Sequence, residues 1–163
     1  MDSKKILFVC LGNICRSPAA EGIMNSIIKK NGMEEFITVD SAGTIPYHIG
    51  ELPDQRMRSH TQKRGYNLIH KARMFDPQKD FDSFDYIIVM DGQNYKIIKS
   101  LDLNGNYKNK IFKMYKFCMK YKINEVPDPY YLDPKGFEEV INILEDGCSG
   151  LFIKVKDELR SAD

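Results

Sequence analysis

Several common signals are missing from this sequence of 163 residues. There is no tryptophan, the three histidines are scattered, and the four cysteines do not have the spacing of a zinc site. No apolar run approaches the roughly 18 residues that a membrane-spanning helix needs. A chain of this length can bury a proper core without disulfides. We therefore expect a cytoplasmic protein with reduced thiols, no membrane insertion, and no metal or cofactor.

Targeting signals are missing as well. The first residues are charged and then enter a short apolar run without a small-residue cleavage site, so we expect no signal peptide. The second residue is Asp2 rather than the glycine that myristoylation requires, and no cysteine near residue 163 is available for prenylation. No repeat, low-complexity tract or linker divides the chain, so residues 1–163 are predicted to form a single domain.

A large charge of either sign is also missing, because the net charge is only +1. Lysines are nevertheless concentrated between residues 96 and 122, where Asp102 is the only acidic residue. Two interpretations of this stretch remain open, a solvated surface or a weak attraction for anionic substrates. Since no nucleic-acid-binding motif accompanies the lysines, we expect no nucleic acid partner.

Short apolar runs alternate with helical patterns along the chain. Four stretches have the composition of strands: residues 6–9, 36–39, 86–90 and 111–114. This alternation predicts an α/β fold with a doubly wound, parallel, four-stranded sheet that is flanked by helices on both faces. Such sheets bind ligands beyond the carboxyl ends of their strands, and Cys10 and Asp91 both lie at such ends.

Cap residues predict where the helices begin. Ser17, followed by proline, is predicted to cap the first helix, and Asp91 is predicted to cap the helix after the third strand. Asp133 is predicted to cap a long C-terminal amphipathic helix. Gly147 and Gly150 in that helix either bend it or allow close packing.

The segment CLGNICRS, called loop 10–17 below, joins the first strand to the first helix. Backbone N–H groups at a helix N-terminus bind anions, and the helix dipole favours negative charge there. Arg16 offers a planar fork that matches two phosphate oxygens, and the same positive field favours the thiolate form of Cys10. The loop is therefore predicted to be a phosphate cradle above a nucleophilic thiol, although a structural cysteine beside a surface arginine is the alternative. The other residues predicted to contact phosphate are Leu11, Gly12, Asn13, Ile14, Cys15 and Ser17.

A second segment, called loop 126–131 below, offers a proton donor. Asp128 lies between two prolines, which restrict the backbone on both sides of its carboxyl group. A positioned acid helps to expel a phenolate, since a phenol such as that of tyrosine has a pKa of about 10. Tyr130 and Tyr131 are predicted to form walls for an aromatic ring. An Asp-Pro pair alone is an ordinary turn signal, so this interpretation depends on loop 10–17.

Loop 10–17 resembles the active-site loop of the low-molecular-weight protein tyrosine phosphatases, and the segment from Asp128 onward resembles their acid loop. The resemblance covers nearly the whole chain. Residues 41–47 resemble the variable loop of the family, with Tyr47 as the aromatic residue of the crevice wall where the family often has tryptophan. Residues 70–73 resemble the segment whose histidine braces the phosphate-binding loop.

The resemblance implies an enzyme that hydrolyses phosphotyrosine-containing proteins or small aryl phosphates. We separately expect the protein to be a monomer. The resemblance implies that Cys10 forms a cysteinyl-phosphate intermediate, that Arg16 binds the phosphate, and that Asp128 acts as general acid and then as general base. It also implies that no metal is needed. The residues that the resemblance implies as supports for the catalytic side chains are Asn13, Ser17, Ser41, His70 and Asp91.

Three questions remain open from the sequence. Cys15 is either a small apolar filler or, as the resemblance also implies, a resolving thiol that traps oxidised Cys10 as a disulfide. A thiol-coupled arsenate reductase is an alternative function, although Cys118 and Cys148 are far apart in sequence and do not form the expected relay pair. A non-catalytic phospho-ligand binding module is a second alternative.

Overall fold

The structure is a computed structural model that describes residues 2–162, except for the side chain of Tyr131. One parallel sheet has the strand order β2-β1-β3-β4. Its strands are β1 (Lys4–Cys10), β2 (Ile37–Gly43), β3 (Tyr86–Val89) and β4 (Ile111–Lys113). The predicted α/β fold with a doubly wound four-stranded parallel sheet is therefore confirmed.

Helices cover both faces of the sheet. They are α1 (Arg16–Lys30), α2 (Gln55–Gln62), α3 (Asp80–Ser83), α4 (Gly92–Leu101) and α5 (Pro134–Ser161). The side chains of β1 alternate between two parts of the core, one on each face of the sheet, because successive side chains of a strand point to opposite faces. Ile6 and Phe8 pack with side chains of α1 and α5, whereas Leu7 and Val9 pack with side chains of α3 and α4. Cys10 ends the strand on the same face as Ile6 and Phe8.

Two of the three predicted N-caps are confirmed. The carboxylate of Asp91 accepts a hydrogen bond from Asn94 N at 2.8 Å, and that of Asp133 accepts one from Gly136 N at 3.1 Å. The prediction for Ser17 was wrong, because α1 begins at Arg16 and Cys15 occupies the N-cap without a side-chain hydrogen bond. The hydroxyl of Ser17 is instead used inside loop 10–17.

Strand β2 is longer than the sequence predicted. Residues 41–43 were expected to lie in a loop, but they continue the parallel pairing with β1, which aligns Ser41 with Phe8 and Gly43 with Cys10. This extension brings the hydroxyl of Ser41 and the backbone of Gly43 against loop 10–17.

The glycines of α5 serve close packing, one of the two roles left open by the sequence. A Cβ atom at Gly147 would lie 2.7 Å from Met114 Cε, and one at Gly150 would overlap the carbonyl oxygen of Phe117. The helix therefore packs directly on the chain that follows β4. Among residues 2–162, no helix combines the length and the apolar composition required to cross a membrane.

Candidate active site

A cavity of about 300 Å³ opens at the carboxyl end of β1. Three segments line it: loop 10–17, the loop that follows β2, and loop 126–131. The lining residues are Cys10, Leu11, Gly12, Ile14, Cys15, Arg16, Ile45, Tyr47, His48, Asp128 and Tyr130. The structure therefore brings the predicted nucleophile, the predicted phosphate ligand and the predicted acid into one cavity.

Asn13 determines the shape of loop 10–17. Its φ of 57° lies in the left-handed region, which is uncommon for a residue with a side chain, although asparagine tolerates it better than most. Its amide nitrogen donates to Ser17 Oγ at 2.8 Å and to Ser41 Oγ at 2.9 Å. Its amide oxygen accepts from Arg73 N and from His70 Nε2, each at 2.9 Å. The four hydrogen bonds hold this buried residue in the conformation that curves the loop.

The same bonds assign the tautomer of His70. Because Arg73 N can only donate, the Asn13 atom that it contacts is the oxygen, and His70 Nε2 must therefore carry a hydrogen. The other ring nitrogen, Nδ1, lies 3.3 Å from Glu21 Oε1 and 3.4 Å from Asp40 Oδ1. Burial raises the pKa of Glu21 to about 7 and lowers the pKa of His70. Glu21 is therefore only partly ionised at neutral pH, and burial favours the neutral form of the imidazole beside it.

Glu21, Asp40 and His70 have the ligand types of a cation site, since their ligand atoms lie within 4.8 Å of one another. The carboxylates of Glu21 and Asp40 already have a hydrogen-bond or ion-pair partner in the protein. Ser41 Oγ donates to Glu21 at 2.8 Å, and the Arg73 guanidinium contacts Asp40 Oδ2 at 3.0 Å. The cluster is therefore built as a hydrogen-bonded support behind loop 10–17.

Ser17 and Cys10 are in direct contact, with 3.0 Å between Oγ and Sγ. Because Ser17 Oγ accepts a hydrogen bond from Asn13, its own hydrogen can be donated to the sulfur, which is closer than the other acceptor, Ala42 O, at 3.5 Å. The hydroxyl that was predicted as a helix cap thus faces the nucleophile instead. Ser41 lies one step further away, since it accepts from Asn13 and donates to Glu21.

The long side chain of Arg16 is buried in the site, with 2% of it exposed. Its Nη1 donates to Asp91 Oδ2 at 2.7 Å and to Val126 O at 2.9 Å, while its buried Nε has no partner among the described residues. Burial alone would lower the pKa of Arg16, but the facing Cys10 thiol, Asp91 and Asp128 outweigh it and raise that pKa. Asp91 therefore caps α4, as predicted, and its second carboxylate oxygen also orients the guanidinium of Arg16.

Asp128 lies at the mouth of the cavity, with 38% of its side chain exposed. Its Oδ1 accepts a hydrogen bond from Tyr130 N at 3.1 Å, and its Oδ2 lies 3.6 Å from Arg16 Nη2. The carboxyl group begins a 3₁₀ turn over Pro129–Tyr131. Tyr130 lines the cavity, whereas the side chain of Tyr131 lies outside the described residues, so its predicted role stays a prediction.

Sequence reasoning missed several residues around the loop, among them His48 and Gly43. His48 lies directly over Gly12, where a Cβ atom would be 3.0 Å from His48 Cδ2, and it meets the ring of Tyr47 edge-on at 5.0 Å. Gly43 allows β2 to approach the loop, since a Cβ there would lie 2.9 Å from Leu11 O. His48 is adjacent to the predicted Tyr47, but neither contact has a signal in the local sequence.

Cys15 is buried at the base of the cavity. Burial, reinforced by the negative charge of Asp54, raises its pKa far above the ordinary value, so the thiol is protonated at neutral pH. Cys118 and Cys148 lie elsewhere, where their sulfur atoms face the carbonyl oxygens of Ile143 and Ala20.

Comparisons with known proteins agree with this geometry. A family model described as low molecular weight phosphotyrosine protein phosphatase matches residues 5–161. A putative low molecular weight protein-tyrosine-phosphatase of Synechocystis, slr0328, is 50% identical over 155 residues, which cover 95% of this chain and 98% of the relative. YfkJ of Bacillus subtilis, a low molecular weight protein-tyrosine-phosphatase, is 36% identical over 94% of this chain and 96% of its own length.

Solved structures give the same result. A protein tyrosine phosphatase of Entamoeba histolytica, crystallised with Hepes in the active site, has a TM-score of 0.92 at 49% identity and covers 96% of this chain and 99% of its own. The crystal structure of YfkJ has a TM-score of 0.87 at 36% identity, covering 97% and 98% of the two chains. With a family model spanning residues 5–161 and a relative that is 50% identical over nearly the full length, the chain belongs to the low molecular weight phosphotyrosine protein phosphatase family.

Proposed function

We propose that this protein hydrolyses phosphotyrosine and small aryl phosphates, with Cys10 as the nucleophile and Asp128 as the general acid and base. The orientation of Arg16 carries the proposal. One end of its guanidinium is fixed by Asp91 and Val126, and its buried Nε has no partner among the described residues of the cavity that also contains Cys10 and Asp128. A phosphate oxygen is the partner that this charged nitrogen fits best.

In the first step, the Cys10 thiolate attacks phosphorus and the bond from phosphorus to the phenolic oxygen breaks. The loop amides and Arg16 stabilise the three equatorial oxygens, as electrostatic catalysis of phosphoryl transfer requires. Asp128 gives its proton to the departing phenolate, which leaves as the neutral phenol. The position of Asp128 at the cavity mouth, above Arg16, supports this assignment.

In the second step, the cysteinyl phosphate is hydrolysed. The Asp128 carboxylate takes a proton from water, the water oxygen bonds to phosphorus, and the bond from sulfur to phosphorus breaks. The leaving sulfur is stabilised by the hydroxyl of Ser17, which lies 3.0 Å away. Inorganic phosphate is released and the Cys10 thiolate is regenerated, without a metal or a redox cofactor.

Aromatic side chains at the rim favour aryl substrates. Tyr47 is 82% exposed and Tyr130 is 38% exposed, yet both line the cavity. We propose that Tyr47, Tyr130 and Tyr131 contact the ring of phosphotyrosine or of a small aryl phosphate. We further propose that residues 1–163 form one phosphatase domain and that it acts as a cytoplasmic monomer.

Cys15 is proposed as a resolving thiol. Peroxide would oxidise the Cys10 thiolate to a sulfenic acid, and Cys15 would then displace water to form a disulfide. Both residues line the same cavity, which supports the pairing. Since burial raises the pKa of Cys15, we expect the disulfide to form more slowly than the sulfenic acid.

The two alternative functions receive no support from the geometry. Arsenate reduction needs a thiol relay from the nucleophile, but Cys118 and Cys148 do not line the cavity. A non-catalytic binding module would not need an acid in the cavity of the nucleophile, whereas Asp128 lines the same cavity as Cys10.

An aryl phosphatase assay tests the proposal. We expect wild-type protein to hydrolyse aryl phosphates, and Cys10→Ser to lose turnover while it still binds vanadate. Substantial turnover by Cys10→Ser would reject the mechanism. Inactive wild-type protein with arsenate-dependent thiol oxidation would favour the reductase instead.

A further inference from the structure

Arg56, in the first turn of α2, lies between loop 10–17 and loop 126–131 without lining the cavity. Its guanidinium is held flat against Asp54, with Nε 3.1 Å from Oδ1 and Nη2 3.0 Å from Oδ2. Its central carbon lies 5.3 Å from the ring centre of Tyr130 and 4.9 Å from that of Phe137. One planar cation therefore contacts a carboxylate and two aromatic rings at once.

On one side, this contact is anchored to loop 10–17. The carboxylate of Asp54 caps α2 by accepting from Arg56 N at 2.8 Å and from Met57 N at 3.4 Å, and Asp54 N donates to Ile14 O at 2.7 Å. Burial alone would raise the pKa of Asp54, but the hydrogen bonds from Arg56 and Met57 outweigh it and lower that pKa. Asp54 therefore remains an anion at neutral pH and fixes the plane of the guanidinium.

On the other side, Arg56 meets the turn that carries the proposed acid. Tyr130 N donates to Asp128 Oδ1 at 3.1 Å, so the ring and the carboxyl group belong to one 3₁₀ turn. Phe137 is buried in the first turn of α5, immediately after this loop. A cation over both rings restricts how far the turn can move away from the cavity.

We propose that Arg56 is a positioning residue that holds Asp128 at the cavity mouth, by linking the backbone of loop 10–17 to the ring of Tyr130. The inference rests on the proposed role of Asp128 as general acid. Arg56 is 47% exposed, so its ion pair with Asp54 contributes little to folding. Its effect is therefore expected in the protonation of the leaving group rather than in the stability of the protein.

The experiment compares Arg56→Met, which keeps the length of the side chain without the charge, with Arg56→Lys, which keeps the charge without the planar fork. The control is Lys63→Met, which removes a cation at the opposite end of α2. For phenyl phosphate, kcat/KM is expected to fall about three- to tenfold in Arg56→Met and less in Arg56→Lys. For aryl phosphates with strongly acidic phenols, kcat/KM and vanadate affinity are expected to stay within about twofold of wild type, as is every value for Lys63→Met.

Combination with Asp128→Ala separates the inference from the proposed function. If Arg56 acts through the acid, Arg56→Met has no further effect on kcat/KM in the Asp128→Ala background. Equal losses across the substrate series, no loss at all, or an undiminished loss without Asp128 would each overturn the role of Arg56 while leaving the function intact. Inactivity of the wild-type protein, or a flat substrate series for Asp128→Ala alone, would instead reject the function itself.

Discussion

The floor and the rim of the cavity are built differently. The floor is loop 10–17, in which the buried side chain of Asn13 makes four hydrogen bonds, three of them to residues at least 28 positions away. The rim consists of loop 126–131 and the loop after β2, where Asp128 makes one local hydrogen bond and Tyr47 is 82% exposed. The floor is thus fixed by buried hydrogen bonds, whereas the exposed side chains of Asp128 and Tyr47 make few contacts of their own. We expect floor substitutions to affect folding and activity together, and rim substitutions to affect activity selectively.

Asp128→Ala gives the largest expected effect at the rim. Loss of the acid should lower kcat/KM by about 10²-fold or more for substrates whose phenols are weak acids, and much less for strongly acidic phenols. Because Asp128 is exposed, makes one local hydrogen bond and lies 3.6 Å from Arg16 Nη2, the free energy of unfolding should change by less than about 1 kcal/mol. A leaving-group series together with urea unfolding measures both quantities. Equal losses across the series would reject Asp128 as the acid.

Asn13→Ala tests the floor. Its hydrogen bonds to Ser17, Ser41 and His70 disappear, and we expect kcat/KM to fall about 10- to 100-fold for all aryl phosphates alike. The free energy of unfolding should fall by about 2 kcal/mol, since buried polar partners lose their bonds. Asn13→Gly is the matched variant, because it permits the positive φ without the side chain. Full activity in Asn13→Gly would show that backbone conformation alone shapes the loop.

The difference between floor and rim also explains which features could be predicted from sequence. The strands around Cys10, the caps Asp91 and Asp133, and the family resemblance all depend on local patterns, and the structure and the comparisons confirm them. Ser17 was misread as a cap because its hydroxyl contacts Cys10 and Asn13 inside loop 10–17 instead of the end of the helix.

The remaining contacts have no local signal. Glu21 reaches His70 only because α1 packs beside β2, and Arg56 reaches Tyr130 only because α2 lies against the start of α5. Gly43 is needed because β2 ends against the backbone of loop 10–17. Such residues can be recognised only when the tertiary packing is known.

Glu21→Gln probes the floor through pH. Burial raises the pKa of Glu21 from 4.5 to about 7, so its contribution to stability is present below pH 4.5 and is lost as the pH rises through 7. The neutral amide introduced by the substitution removes this pH dependence of the free energy of unfolding. The free energy of unfolding of the variant should therefore improve relative to wild type between pH 5 and pH 8, by on the order of 2 kcal/mol.

Urea unfolding across this pH range measures the difference, and Glu35→Gln is the control because Glu35 is exposed. The groups that face Glu21 are Ser41, His70 and the neighbouring charges of Asp40 and Arg73. A constant difference between variant and wild type at every pH would show that Glu21 is ionised throughout.

Tyr47→Ala has the smallest expected effect and tests the rim at its most exposed point. Its ring contacts His48 edge-on but is otherwise open to solvent, so removing it should leave the free energy of unfolding unchanged. If the ring forms a wall for aryl substrates, KM for aryl phosphates should rise about two- to tenfold while that for alkyl phosphates stays constant. Ile69→Ala, which removes another exposed apolar side chain outside the cavity, is the control. A measurable loss of stability in Tyr47→Ala would contradict the distinction between floor and rim, because it would show that the rim is held together as tightly as the floor.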